Sequence, residues 1–268
     1  GLDGVIVQDV GAAAFIRKNF PGMEIHGSTQ MTITDVYGAR AAARLGMNRV
    51  VPARELSLSE IRRMKEEAGL DIEVFIHGAL CYCYSGQCLL SSRYGGRSGN
   101  RGRCAQPCRL PYRVMERDSR YSAGAHLLSS KDLCAISWLP SLIEAGVDSL
   151  KIEGRMKNVE YVAGVTAIYR KYLDLYREMG EEDLSLDKKQ EHRQRKWKIS
   201  KKDYEALEEL YSRSGFTDGY WNRHNGSEMM ATIHPRNLGR KSDGCVRCAA
   251  GRSQWSLTGG QSCIRRIS

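Results

Sequence analysis

The sequence predicts an α/β fold: an incomplete (β/α)8 TIM-type barrel with a cysteine-rich insertion and a C-terminal extension. Short apolar runs alternate with helical segments at a repeat of roughly 20–25 residues, which is typical of a parallel sheet covered by helices. A cysteine-rich stretch interrupts the alternation, which then resumes. Five strands in this order fit most of a barrel whose opening units are absent.

The first half of the chain contains four predicted strands. They cover residues 3–9, 23–30, 49–55 and 71–78, with helices predicted over 12–20, 34–46 and 57–69. The second helix ends in glycine, a normal helix stop. Ser57 and Glu60 predict a capping box at the start of the third helix.

After the cysteine-rich stretch the same pattern returns. Residues 129–146 are expected to form a helix with a capped start, 147–154 a fifth strand and 158–180 a long amphipathic helix. An open doubly wound sheet is the alternative architecture. The glycine-rich fingerprint expected at the first turn of such a sheet is not seen.

Four regions are predicted along the chain. Residues 1–180 form the partial barrel, with the insertion over 81–130, and residues 181–203 form a basic linker. Residues 204–238 are expected to begin a C-terminal domain, and 239–268 are too poorly patterned for any prediction of structure. The first residue is Gly1 and not Met, and the first predicted strand follows at once, so we expect the chain to be a fragment whose N-terminus is missing.

Composition and charge narrow the class of protein. The 268 residues are 41% apolar and carry a formal charge of +10. Part of that charge is a basic run over residues 188–202, which is either a solvated segment or a footprint for RNA. No apolar run approaches the ~20 residues that span a bilayer, and no signal-peptide pattern opens the chain. We expect a cytoplasmic protein with no membrane partner.

Polar side chains follow the predicted strands at their carboxyl ends, where barrels of this type carry their chemistry. Because several strands end this way, a polar pocket is expected rather than isolated surface residues. The candidates are Gln30, Arg54, Glu55, His77, Lys151, Glu153 and Arg155.

Nine cysteines without a secretion signal argue against a disulfide framework. The spacing of Cys81, Cys88, Cys104 and Cys134 is looser than the paired C-x-x-C of structural zinc sites, and it weakly favours an iron–sulfur cluster over zinc. A cysteine nucleophile beside His77 stays open, although no protease motif is present.

Three further cysteines, Cys245, Cys248 and Cys263, form only a weak second pattern with no obvious fourth ligand.

Four separated motifs resemble the collagenase-like peptidase family U32. They are EVFIHGALCYCYSGQCLLSS, NRGRCAQPCR, LLSSKDLCAI and GVDSLKIEGRMKNVEYVAGVTAIYRKYL, in this order along the chain. The segment GFTDGYWNRHNGSEMM is similar to a stretch that follows the barrel in some members. An opening like ELLAPAG, common in the family, is absent, and the tail does not resemble the family.

The resemblance implies two kinds of activity. The family is named for peptidases linked to collagen degradation, but other members hydroxylate transfer RNA, 23S ribosomal RNA or a ubiquinone precursor. Members that bind an iron–sulfur cluster hold it on four cysteines, which correspond by motif to Cys81, Cys88, Cys104 and Cys134.

RNA hydroxylation is the first hypothesis. His77, Glu55 and Glu153 would be catalytic, while Gln30, Arg54, Lys151 and Arg155 would bind the substrate or an anionic co-substrate. A collagenase-like peptidase acting on a protein or peptide is the second hypothesis, although H-E-x-x-H and G-x-S-x-G motifs are both absent. A non-enzymatic, cluster-bearing scaffold is the third.

Overall fold

The computed structural model describes residues 1–112, 126–154, 157–179, 197–222 and 226–232. The described part is a mixed α/β structure built around one seven-stranded sheet. Its strands are β1 (Gly4–Val7), β2 (Glu24–Gly27), β3 (Arg49–Val50), β4 (Asp71–Ala79), β5 (Asp132–Cys134), β6 (Ser149–Ile152) and β7 (Phe216–Thr217). Its α-helices are α1 (Val10–Asn19), α2 (Val36–Arg44), α3 (Leu58–Ala68), α4 (Leu90–Gly95), α5 (Leu139–Glu144), α6 (Val159–Glu178) and α7 (Lys201–Leu210).

The first four strands are parallel neighbours in chain order, and β6 pairs in parallel with β4. A helix follows each of β1, β2 and β3, as the strand–helix alternation predicts. Strand β4 is buried at every position from Ile72 to Gly78, which is typical of a central strand covered on both faces. The sheet is therefore rich in parallel pairing.

Helix boundaries follow local chemistry. Ser57 accepts from the Glu60 amide while the Glu60 carboxylate accepts from the Ser57 amide, so the predicted capping box of α3 is confirmed. The helix ends at Gly69, whose φ of 68° is left-handed and favours glycine. Asp9 and Asp35 cap the N-termini of α1 and α2, as Ser57 does for α3. Each side chain accepts a hydrogen bond from a backbone amide of the first turn.

The prediction of one helix over residues 129–146 is wrong. Residues Asp132–Cys134 form β5, which runs antiparallel to the end of β4, and α5 begins only at Leu139. Pro140 explains the late start, because a proline has no amide hydrogen for a helix interior and is tolerated in the first turn. Cys134 therefore ends a buried strand and does not begin a helix.

The segment after α7 adds to this sheet. Strand β7 pairs in parallel with β5, and Ser130 forms an isolated bridge with Met230. The Trp221 carbonyl also accepts from the Leu58 amide at the start of α3. Described residues of the region predicted to begin a C-terminal domain thus pair with the sheet that the preceding residues form.

Among the described helices, none combines the length and the apolar character that crossing a bilayer would require.

Candidate functional site

The carboxyl ends of β2, β3, β4 and β6 lie along one edge of the sheet, because these strands are parallel. Five predicted site residues stand at or just beyond that edge: Gln30, Arg54, Glu55, His77 and Glu153. Gly78 allows close approach there, since its φ is 109° and a Cβ would lie 2.8 Å from the Glu153 carbonyl oxygen. The edge is therefore the candidate site.

A long loop leaves β4 at this edge; we call residues 80–112 the cysteine loop. It is seated beside the end of β2, where Thr32 Oγ1 donates to the Ser85 carbonyl at 2.8 Å and accepts from Gln87 Nε2 at 2.6 Å. Gly86 has a φ of 82°, and a Cβ there would lie 2.7 Å from the Gln30 carbonyl oxygen. The loop packs on the candidate site through these contacts.

Arg54 and Glu55 both bind the cysteine loop. Arg54 Nη1 donates to the Ala79 carbonyl at 2.7 Å, and Nη2 donates to Cys81 Sγ at 3.1 Å. Glu55 Oε1 accepts from the Ser85 amide at 3.0 Å and from its hydroxyl at 3.2 Å. Burial opposes the charge on Arg54, but Cys81, Glu55 and other carboxylate groups outweigh it and raise the pKa of the guanidinium.

His77 is 1% exposed, and its ring lies among those of Tyr161, Tyr169 and Phe216. Its Nδ1 lies 3.3 Å from the Tyr169 hydroxyl. Burial, with a smaller effect from the positive charge of Lys157, lowers the pKa of His77 to about 3. The imidazole is therefore neutral near pH 7 and can exchange a proton there only as a weak base.

Three of the predicted site residues carry a buried polar atom without a hydrogen-bond partner among the described residues. These atoms are Arg54 Nε, Glu55 Oε2 and His77 Nε2. Buried polar atoms in proteins are normally satisfied. Their presence in three residues at one edge is consistent with a polar occupant at the candidate site.

Lys151, which the sequence predicts to bind substrate, is paired with a carboxylate of the sheet. Its Nζ lies 2.8 Å from Oε1 of Glu73, a carboxylate 1% exposed. Glu73 also accepts from Ser149 Oγ at 2.9 Å and lies 3.6 Å from Arg49 Nη1. Lys151 is therefore part of a buried charge network between β3, β4 and β6. Arg155 lies outside the described residues.

Three of the four predicted ligand cysteines, Cys81, Cys88 and Cys104, belong to the cysteine loop and are exposed or half-buried. Cys108, which is not among the predicted ligands, is a half-buried thiol of the same loop. Burial raises the pKa of Cys108; the positive charge of Arg109 opposes this effect, and Cys81, Cys104 and Cys88 add to it, so each of these three thiols acts electrostatically on Cys108. The C-x3-C spacing of Cys104 and Cys108 is the sequence signal that could have identified it.

Cys134 faces a different environment. Its Sγ lies 3.7 Å from the Tyr169 hydroxyl, opposite His77 in the β4–β5 ladder. Burial raises the pKa of Cys134 to about 11. The four-cysteine ligand set of Cys81, Cys88, Cys104 and Cys134 thus stays a prediction, and only its first three members share one loop.

The chemistry of the donor set fits a thiolate-bound group. Soft thiolates select iron–sulfur clusters or zinc, and the cysteine loop offers several of them beside an arginine donor. Within the described ranges, no three His, Cys, Asp or Glu side chains already surround a common point as metal ligands would. Cys245, Cys248 and Cys263 lie outside those ranges.

A second polar cluster lies under the far end of the cysteine loop, and the sequence analysis did not identify it. Arg109 Nη2 donates to the Leu80 carbonyl at 2.6 Å and so joins the end of the loop to its beginning. Lys157 lies beside Tyr161 and Tyr211, and burial together with the charge of Arg213 lowers the pKa of its ammonium group to about 7. The residues of this cluster, Arg109, Lys157, Tyr161, Tyr211 and Arg213, are distant in sequence, so their spacing does not indicate that they lie together.

Comparison with known families gives a match over most of the chain. Residues 1–231 match the family described as "Peptidase family U32". A U32 peptidase of known structure is 18% identical, with a TM-score of 0.27 over 29% of this chain and 32% of that one, an overlap too small to bear on the fold.

Relatives of known name fall into the two groups that the motifs indicate. The chain is 47% identical over 175 residues to a 23S rRNA 5-hydroxycytidine synthase of Escherichia coli, covering 65% of this chain and 26% of that protein. It is 43% identical over 180 residues to a tRNA hydroxylation protein of Bacillus subtilis, covering 65% and 43%. A protein named collagenase, from Porphyromonas gingivalis, is 36% identical over 189 residues, covering 65% and 45%. The chain thus spans less than half the length of each of these relatives.

Proposed function

The chain belongs to peptidase family U32, and on that premise we propose that it is part of an iron–sulfur enzyme that hydroxylates a base of transfer or ribosomal RNA. The observation that carries the proposal is the position of the cysteine loop. The loop leaves β4 at the polar strand ends, and Arg54 links its first thiol, that of Cys81, to that edge directly. The regions shared with the two RNA-hydroxylating relatives support the same activity.

In this proposal the parallel strands are a segment of a (β/α)8 barrel. Helices following β1, β2 and β3 and polar residues at the carboxyl ends of the strands support it. A full barrel would close around the candidate site and exclude water from it. We propose that Gln30 binds substrate and that Glu153 takes part in catalysis at this same edge; the predicted substrate-binding role of Arg155 stays a prediction from the sequence.

We propose Cys81, Cys88 and Cys104 as three ligands of the cluster. Cys134 is the fourth ligand implied by the family motifs, and the cysteine loop also carries Cys83 and Cys108, both of which interact with the ligand cysteines. When bound, the cluster would supply electron transfer at the site; zinc is the less favoured occupant. Arg54 would hold the Cys81 sulfur, and Glu55 would hold the turn that follows it.

The RNA substrate must present an accessible base, because base edges inside a helix cannot reach a protein pocket. The target is therefore an unpaired loop or a nucleotide turned out of its stack. The net charge of +10 and the basic residues before α7 favour a polyanionic partner.

The experiment that tests this function compares RNA from cells that carry the full-length gene, lack it, or carry a Cys88→Ser variant. Mass spectrometry of digested transfer and ribosomal RNA should find a nucleoside heavier by one oxygen only with the wild-type gene. Unchanged RNA in all three, with cleavage of a peptide substrate by the purified protein, would instead support the collagenase-like alternative. Unchanged RNA without cleavage would favour a cluster-bearing scaffold.

A further inference from the structure

The contacts of Arg54 and Glu55 are directed at the cysteine loop. Both residues were expected to meet substrate or to take part in catalysis. Instead, Arg54 spans the turn from the Ala79 carbonyl to Cys81 Sγ, and Glu55 receives both the amide and the hydroxyl of Ser85. These two neighbouring side chains thus hold both ends of the short segment 79–85.

We infer that Arg54 and Glu55 are positioning residues, which fix the first turn of the cysteine loop and hold the Cys81 sulfur at the candidate site before the cluster binds. The inference rests on the proposed function, since it concerns the same loop. Neither the family motifs nor the relatives assign this positioning role to Arg54 and Glu55.

The geometry at Arg54 requires a guanidinium. Two nitrogens of one planar group meet two acceptors, a carbonyl oxygen at 2.7 Å and a sulfur at 3.1 Å. The group also lies over the Phe75 ring at 5.2 Å, which limits its rotation. A lysine offers one nitrogen on a flexible stem, so it cannot maintain both contacts in a fixed orientation.

The geometry at Glu55 requires an acceptor rather than a charge. One carboxylate oxygen receives two hydrogen bonds from Ser85, and the hydroxyl of Ser85 lies 3.2 Å from the Arg54 amide. A glutamine presents an amide oxygen at the same distance from the backbone and can accept both bonds. An alanine in place of Glu55 has no acceptor, so the Ser85 amide loses its hydrogen-bond partner.

A cysteine that is already held in place loses less conformational freedom when the cluster binds. Hydrogen bonds to ligating groups orient them, and their loss weakens metal binding. The expected consequence is that variants lacking either contact bind the cluster less firmly although the rest of the protein remains folded.

The first test uses the apo-protein and needs no cluster. Hydrogen exchange at the Ser85 amide should be about fivefold to tenfold faster in Glu55→Ala, while Glu55→Gln should exchange like the wild type. Arg54→Met should also speed exchange across residues 80–88, and Arg62→Met, on the exposed side of α3, should not. Thermal unfolding of each variant checks that the fold is intact.

The second test uses protein reconstituted anaerobically with iron and sulfide. A chelator should remove iron faster from Arg54→Met and Arg54→Lys than from wild type or Arg62→Met. Methionine makes neither hydrogen bond of the guanidinium, and lysine cannot make both at once. Unchanged exchange at Ser85 in Glu55→Ala, or unchanged iron release in Arg54→Met, would overturn the inference. Wild-type protein that takes up no iron would contradict the proposed cluster, and the exchange data would still decide whether the loop is anchored as described.

Discussion

Asp132 and Arg213 form a buried ion pair in which Arg213 Nη1 lies 2.6 Å from Asp132 Oδ1. Asp132 begins β5 and Arg213 follows α7, so the pair joins the sheet to the segment after the last helix. Arg213 Nη2 also donates to Gln106 Oε1 at 3.3 Å, which brings the cysteine loop into the same network. One guanidinium therefore connects three parts of the chain that are distant in sequence.

Removing that guanidinium should destabilise the protein. Arg213→Met leaves the Asp132 carboxylate buried without its cation, which typically costs about 3–5 kcal/mol. Urea unfolding followed by circular dichroism measures the loss. The double variant Asp132→Asn with Arg213→Met should recover part of the lost free energy of unfolding, because a neutral amide then replaces the buried, unpaired carboxylate. A loss below about 1 kcal/mol would contradict the ion pair's role in joining the three parts.

The candidates for the fourth ligand can be told apart by spectroscopy. If Cys134 completes the cluster, Cys134→Ser removes the visible absorbance of reconstituted protein and Cys108→Ser retains it. If the cysteine loop supplies all four ligands, Cys134→Ser retains the absorbance and either Cys83→Ser or Cys108→Ser removes it. Cys88→Ser should abolish the absorbance in either case, and retained absorbance in that variant would reject its ligand role.

Stability should depend on pH through Asp203, which joins α7 to α6. Burial alone would raise the pKa of Asp203, but hydrogen bonds from Lys171, Ser200 and Tyr172 outweigh it and lower the pKa to about 2. The folded value lies below the usual ~3.9, so this contribution is present above about pH 4 and is lost as the pH falls toward 2.

The test is the free energy of unfolding of Asp203→Asn and wild type across this range. The variant should be less stable at neutral pH, and the difference should shrink as the solution becomes more acidic than about pH 4. Glu205→Gln, which changes an exposed charge on the same helix, is the control. A difference that stays constant with pH would contradict the assignment.

Binding to RNA should weaken steeply as salt rises, because cations that neutralise phosphates release counterions. Replacing the exposed Lys198, Lys201 and Lys202 with glutamine should reduce the slope of log affinity against log salt by up to about 2. Lys18→Gln, on α1 at the opposite end of the described chain, is the control. A flat salt response in the wild type would remove the argument for a polyanionic partner.

Much of the fold follows from local sequence patterns. The four strands of the first half and the cap of α3 were predictable because apolar periodicity and capping residues act over a few positions. The short strands β5 and β7 were not, because neither lies in an apolar run of the regular strand–helix alternation, and β5 pairs with β4 and β7, which are distant from it in sequence. Pro140 was the local sign against a long helix there.

The candidate site was predictable in its residues and less so in their contacts. Parallel strands bring their carboxyl ends together, so Arg54, Glu55 and His77 could be placed at one edge. Their partners depend on how the cysteine loop folds back, which spacing does not encode. Arg54 thus contacts Cys81, and Lys151 contacts Glu73 inside the sheet.

The most direct test of the central claim is anaerobic purification with iron and sulfide analysis and an absorbance spectrum. We predict one iron–sulfur cluster per chain, with visible absorbance that disappears in Cys81→Ser and Cys88→Ser. A well-folded protein that contains no iron after reconstitution would contradict it. Zinc in that protein would instead assign the loop cysteines to the alternative metal.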